Sequence, residues 1–265
     1  MAFVQGRPRF GRTRENLEHG LALAAGVHAD LVVLPELWSS GYVFSSRAEV
    51  DALAEDAATG PTAQALKAAA RRQRRHYVAG FPEKSRGRFY NSALLVGPAG
   101  VKAVYRKIHL FDREREWFSA GNRKPEVHRA GPARIGMMIC FDWRFPELPR
   151  ALALMGADLL VHPSNLVFTD TAEAIRTRAI ENRVFVLTAN RTGKDRRPGG
   201  TLGFTGKSQV VDPAGRVLAR AGVRETCAMS TDLDLDEARE KSIARRSDLF
   251  GARRPAFYRR LVSTR

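Results

Sequence analysis

The chain has 265 residues, 44% of them hydrophobic, two cysteines, and a formal net charge of +16 carried by 36 Arg against 8 Lys. That length supports one sizeable core over two small ones, and two cysteines exclude a disulfide-built scaffold. The arginines gather at a helix end (Arg71, Arg72, Arg74, Arg75), in loops and in the tail, with no aromatic residues interleaved for base stacking, so a solvated basic surface is expected and a nucleic-acid partner is not.

In chain order, residues 3–5 form a strand stub and 13–25 a helix with Thr13 as N-cap. A buried strand spans 31–34. A helix over 62–76 leads to a strand at 77–81. Strands 92–96 and 101–105 flank Gly97-Pro98-Ala99-Gly100, a hairpin signal. Residues 134–139 are a buried strand ending at Cys140. A helix over 148–155, a strand at 158–161, a helix over 171–182 and a strand at 184–189 follow. The Gly/Arg-rich stretch 193–203 reads as a loop or lid. A second hairpin, 208–211 with 217–219, turns at Asp212-Pro213-Ala214-Gly215, and a last strand spans 225–231. From Lys241 the chain is polar and basic with little periodicity. Cys227 lies on an alternating strand and reads as core.

No apolar run reaches the ~18 residues of a membrane span, and the N-terminus lacks a signal-peptide core. A soluble, reducing, cytoplasmic setting is expected. No Cys/His cluster has zinc-ligand spacing, so no metal is expected. The stretch Ala29-Asp-Leu-Val-Val-Leu-Pro35-Glu36 is echoed by Ala157-Asp-Leu-Leu-Val-His-Pro163-Ser164. Each follows an apolar helix and ends strand-then-proline, which points to two related halves. With crossovers and hairpins mixed, the fold class is α/β with helix-covered sheets, and no domain linker is visible.

Three segments each set a reactive side chain just beyond an apolar strand. Glu36 follows Leu31–Leu34, where partial desolvation raises a carboxyl pKa toward the range of a general base. Lys107 sits in Val104-Tyr105-Arg106-Lys107-Ile108-His109. Cys140 stands where a strand turns toward a helix start at Pro146, near helix-terminal N–H groups that favour an anion. Taken singly, each has a bland reading: Glu36 as a helix-start glutamate, Lys107 as an ordinary snorkelling lysine, the favoured reading of that segment in isolation, and Cys140 as a core cysteine, evenly balanced against a nucleophile. A papain-like Cys–His pair would call on His109 or His162, but the context of the thiol does not match one.

Together these blocks resemble the nitrilase superfamily of carbon–nitrogen hydrolases. The matching stretches are Leu34-Pro35-Glu36, Tyr105 to Phe111, and Gly136 to Glu147. Tyr90-Asn91-Ser92, His162-Pro163-Ser164-Asn165, Arg178 to Arg183 and Gly206-Lys207-Ser208 also match, in the family's order. The resemblance implies an α-β-β-α sandwich with two pseudo-twofold halves, a single domain over 1–265, and a tail, 241–265, that packs across a homodimer. It implies a Glu36–Lys107–Cys140 triad, with Glu114 as the family's second glutamate and Glu116 the poorer match. It also implies an oxyanion hole made by Lys107 and the Phe141 N–H, and no cofactor. Trp143, Asn165 and Phe168 follow strand ends near the expected site and are candidate substrate contacts. Arg144 and Arg176 are candidate partners for a substrate carboxylate. The implied activity is hydrolysis of a small linear amide or carbamoyl compound through a Cys140 thioester, with release of ammonia. The alternatives are a true nitrilase and a silent binding protein with a basic surface. Family members open with a full apolar strand ending near a Gln, here Gln5. Only Ala2-Phe3-Val4 precede it, so a short first strand with a weakly held edge, or a start codon upstream, is expected.

Overall fold

The computed structural model describes residues 1–198 and 200–263. Its first half runs β1 (Ala2–Gln5), α1 (Thr13–Ala25), β2 (Leu31–Val33), α2 (Arg47–Leu53), α3 (Pro61–Gln73), β3 (His76–Ser85), β4 (Arg88–Gly97), β5 (Gly100–Arg106) and α4 (Glu114–Trp117). The second runs β6 (Val127–Ala130), β7 (Ala133–Met137), α5 (Glu147–Leu154), β8 (Leu159–Ser164), α6 (Thr171–Asn182) and β9 (Phe185–Asn190). It continues through β10 (Thr192–Arg197), β11 (Gly200–Thr205), β12 (Gln209–Val211), β13 (Val217–Arg220) and β14 (Cys227–Ser230).

One six-stranded sheet is ordered β14-β1-β2-β3-β4-β5 and the other β13-β12-β9-β8-β7-β6. In the first, β1, β2 and β3 are parallel, with β14 antiparallel on one flank and β4 and β5 on the other. In the second, β7, β8 and β9 are parallel, flanked by antiparallel β6 and by β12 and β13. The two sheets therefore repeat one order and one pattern of directions. The echoed strands, β2 and β8, take the same place in each.

Strand alternation sorts the side chains into layers. Phe3, Leu31, Val33 and Val78 join Ile135, Met137, Leu159 and Val161 of the other sheet in one core. Their strand neighbours Val4, Val32, Leu34 and Tyr77 meet Leu17, Leu66 and Ala70 of α1 and α3. On the second sheet, Leu148 and Leu152 of α5 and Ile175 and Ala179 of α6 are buried. The result is an α-β-β-α sandwich. Each fully buried leucine contributes roughly 1.5–3 kcal/mol of transfer free energy.

Several expectations are corrected. β1 is short but lies between β14 and β2, not at an edge. Thr13 is the first helical residue and caps nothing; Asn16 instead anchors the entry, exchanging hydrogen bonds of 2.7 Å with Arg9 N and O. Arg75 is not solvated: it is buried and donates to Ala24 O and Val27 O. The stretch 193–203 is mostly a hairpin, β10 and β11 in antiparallel register. Helix α2 went unread because seven residues are too few to show a period. Among the described residues, no helix is long and apolar enough to cross a membrane.

Candidate active site

Glu36 sits in a tight turn after β2. The turn lies against β3, with Trp38 N–H donating to Gly80 O at 2.9 Å and Gly80 N–H to Pro35 O at 3.1 Å. Lys107 follows the last residue of β5. Its N–H donates to Asn91 O at 2.8 Å and its carbonyl accepts from Gly121 N–H at 2.8 Å, which fixes its backbone on both sides. Glu114 opens α4; its Oε2 accepts from Phe111 N–H at 3.1 Å. Cys140 begins a 3₁₀ turn, Cys140–Arg144, three residues past the end of β7.

Left-handed backbone marks these segments. Leu37 has φ 46°, Asp112 φ 44° and Cys140 itself φ 42°. Such conformations cost a non-glycine residue about 1–3 kcal/mol and persist only where the surroundings over-determine them.

The side chains converge. Lys107 is fully buried and its Nζ donates to Glu36 Oε1 and to Glu114 Oε1, each at 2.7 Å. Asn91 Nδ2 also donates to Glu36 Oε1, at 2.7 Å, and Tyr42 Oη donates to Glu114 Oε1 at 2.7 Å. Glu36 Oε2 is buried with no protein partner. Asn165 Nδ2 donates to Glu36 O at 3.0 Å. Glu116 faces outward and pairs with Arg113, so Glu114 is the glutamate that meets Lys107.

Asp142 ties the thiol's turn to the lysine's segment. It is fully buried. Its Oδ2 accepts from Tyr105 Oη at 2.7 Å and Ile139 N–H at 2.9 Å. Its Oδ1 accepts from His109 N–H at 3.0 Å and lies 2.8 Å from His109 Nδ1. Tyr105 and His109 bracket Lys107 in sequence. His162 Nε2 lies 2.9 Å from the Cys140 carbonyl oxygen.

Electrostatics divide the labour. Burial pushes the Glu36 carboxyl up to about 7, with Lys107 opposing and Glu114 reinforcing. Burial alone would lower the Lys107 ammonium, but Glu114 and Glu36 outweigh it and hold the group charged. Burial, then Glu36, raise the Cys140 thiol well above its ordinary value. The resting sulfur is therefore a thiol; Cys140 itself opens a 3₁₀ turn, and the expected helix start follows it, α5 beginning at Glu147 directly after Pro146. Burial lowers His162 to about 4, so it is neutral. His162 meets the Cys140 carbonyl and His109 meets Asp142, so neither imidazole forms a Cys–His pair with the sulfur.

The remaining candidates scatter. Phe141 is half-buried, its ring 5.2 Å from Phe111. Trp143 is buried in the apolar core, its carbonyl accepting from Arg178 Nε of α6 at 2.9 Å. Phe168 is 45% exposed and meets Phe111 edge-on at 6.0 Å. Arg144 stacks over Trp143 and Phe168 at the surface. Arg176 is committed to Glu173 and to the Gly215 carbonyl. Sequence reading missed Tyr42, which no motif marks. It also gave Asn91 and Asp142 no role, although both lie inside matching blocks. Among the described residues, no group of three His, Cys, Asp or Glu side chains is arranged to hold a metal ion.

Residues 1–242 match the sequence model of the family described as carbon-nitrogen hydrolase. The chain belongs to the carbon-nitrogen hydrolase family. A nitrilase of Pyrococcus abyssi is 41% identical over 261 residues, 97% of this chain and 98% of that one. An (R)-stereoselective amidase of Pseudomonas sp. is 40% identical over 243 residues, 88% of this chain and 84% of that one. A solved structure of an amidase from Nesterenkonia sp. AN1 matches with a TM-score of 0.80 at 28% identity, covering 98% of this chain and 95% of that chain. That amidase carries the acetamide moiety of fluoroacetamide added covalently at its active site cysteine. A cysteine nucleophile is thus supported for this carbon–nitrogen hydrolase, whose sandwich is that of the nitrilase superfamily.

Proposed function

We propose that this protein hydrolyses small linear amides or carbamoyl compounds with Cys140 as nucleophile, Glu36 as general base and acid, and Lys107 as electrostatic support. The observation that carries the reading is the asymmetry of Glu36. One carboxylate oxygen is held by Lys107 and Asn91, while the other, buried, is left open to a proton.

In this reading Glu36 takes the Sγ proton as sulfur attacks the acyl carbon. The negative charge developing on the substrate oxygen meets the third N–H of Lys107 Nζ, whose other two serve the glutamates, together with the Phe141 N–H. The proton on Glu36 passes to the leaving nitrogen, and ammonia departs from a thioester. Glu36 then removes a proton from water, which attacks the thioester and releases the acid and the thiol. Glu114 holds Lys107 from the far side. Deletion of one oxyanion donor typically costs ~100–1000-fold in turnover.

A nitrile is the second reading, favoured by the Pyrococcus abyssi relative's designation. The same residues would act through a thioimidate. Ammonia release measured across short amides, ω-amides of dicarboxylates, carbamoyl amines, carbamoyl amino acids and nitriles decides between them. Turnover of nitriles alone overturns the amide reading, and no turnover with retained folding favours a binding protein.

We further infer a single domain whose tail packs across a homodimer. Phe257, Leu261 and Val262 in the 3₁₀ segment Pro255–Val262 are 74%, 62% and 89% exposed, more apolar surface than a tail facing water would retain. The two free thiols, Cys140 and Cys227, suit a reducing, cytoplasmic setting.

A further inference from the structure

A third apolar cluster stands apart from the two sandwich layers. It gathers residues of the turn after Glu36, the segment around α4 and the β10–β11 hairpin. From it Tyr42, Phe44, Trp117, Phe118 and Leu202, with Phe111, wall a cavity of about 210 Å³. Glu114 forms part of the same wall. Because Glu114 Oε1 also binds Lys107 Nζ, one end of the cavity lies a single side chain from the buried ammonium.

The wall is fixed in place. Arg197 on the hairpin donates to Val43 O at 2.8 Å, pairs with Glu49 of α2 and stacks on Phe10. Phe204 on β11 meets Tyr42 edge-on at 6.0 Å. The stretch that reads in sequence as a loop is therefore one side of a built pocket.

The charges around it disfavour an anion. Asp112 and Glu114 line it. The cation that also lines it, Arg113, pairs with Glu116 and lies over Trp117. Arg191 is fully buried, pairs with both oxygens of Asp195 at 2.8 and 2.9 Å, and stacks over Phe204. A substrate carboxylate placed here would lose water beside Asp112 and Glu114. The cations near the wall are already engaged, Arg113 with Glu116, Lys107 with Glu36 and Glu114, and Arg47 with the Trp117 carbonyl and the Phe89 ring, so the exchange is unfavourable.

We propose that this cavity is the acyl subsite and that it selects a small, neutral, apolar acyl group. Its volume equals about seven liquid waters and falls below the roughly 300–1,000 Å³ of drug-sized pockets. A short aliphatic chain or a single ring fits that space. The assignment rests on the reading that Cys140 attacks the acyl carbon, and it separates this enzyme from amidases of dicarboxylate monoamides.

The test pairs butyramide with succinamate, equal in chain length and differing by a terminal carboxylate. kcat/KM for butyramide should exceed that for succinamate at least about 100-fold. Leu202→Lys, which puts an ammonium in the wall, should narrow that ratio about tenfold or more. Thr201→Lys, at an exposed lining position, should act in the same direction if the first variant does not fold. Equal rates, a preference for succinamate, or a ratio unmoved in the folded lysine variant overturns the assignment. Calorimetry on the Cys140→Ser protein reads binding without turnover. Preferential binding of butyramide there, with no ammonia released by the wild type, keeps the cavity assignment and sinks the amidase reading. Equal binding of both sinks the assignment.

Discussion

Gly80 lies against the backbone of Glu36. A Cβ at residue 80 would fall 2.5 Å from Glu36 Cα and press on Leu37 N as well. The turn that carries Glu36, the proposed base, is thereby pressed onto β3, and only a glycine permits the approach. Gly80→Ala should displace Glu36 by a fraction of an ångström to an ångström. Misplacement on that scale costs roughly 100-fold in rate. We expect kcat to fall by about that factor, with far-ultraviolet circular dichroism retained. Unchanged kcat would show that the turn absorbs the methyl group.

Cys140→Ala should abolish ammonia release, a loss of at least about 1000-fold, without loss of folding. Slowing deacylation should leave an acyl adduct visible by mass spectrometry of peptides. It should map to Cys140 and not to Cys227, whose thiol burial and Glu225 push up to about 11. Full activity in the alanine variant would refute the nucleophile.

The rate should depend on the protonation of Glu36. Its carboxyl is raised to about 7, with burial the leading cause. Below that value the carboxyl holds its own proton and cannot accept one from Cys140. kcat/KM should therefore fall about tenfold per pH unit below pH 7 and level off above it. Glu36→Gln should abolish this limb along with most activity. A limb centred near pH 4.5, an ordinary glutamate's value, would contradict the assigned burial effect.

Asp142 accepts from groups on both sides of Lys107 while closing the turn of Cys140. Asp142→Asn keeps its shape but replaces one acceptor oxygen by a donor. Hydrogen bonds to buried charged acceptors are worth about 1.5–3 kcal/mol each. A loss near 3 kcal/mol lowers Tm by roughly 6–12 °C in a chain of this size. We expect that shift together with a fall in kcat at nearly constant KM, measured below the new Tm. A change in Tm alone would make Asp142 a purely structural residue.

The exposed Phe257 and Leu261 provide a test of assembly. Replacing both by Asp should convert a dimer to a monomer in light scattering, with little change in the Tm of the monomeric fold. A monomeric wild-type protein would overturn the dimer.

Much of this was legible in the sequence. The echo from Ala29 to Glu36 and from Ala157 to Ser164 announced the repeated sheets, because a parallel strand buried on both faces reads as a continuous apolar run. Glu36 and Cys140 were legible because each stands just past such a run, and Lys107 because it directly follows the antiparallel strand β5, each inside a block that the resemblance picks out. Tyr42 was not legible, since it sits in an irregular turn with no period. Nor was the hairpin of β10 and β11, whose Gly and Arg residues mimic a loop composition.

The sequence by itself determined the family, the layered architecture and which residue types meet at the end of the strands, because local periodicity and short motifs are properties of neighbouring residues. Only the tertiary structure decided the protonation of the site and the shape of its pocket. Those depend on burial and on charges brought from distant segments: Glu36 is raised by its enclosure, Lys107 is held charged by two carboxylates 71 and 7 residues away, and the cavity wall joins Tyr42 to Leu202 across most of the chain.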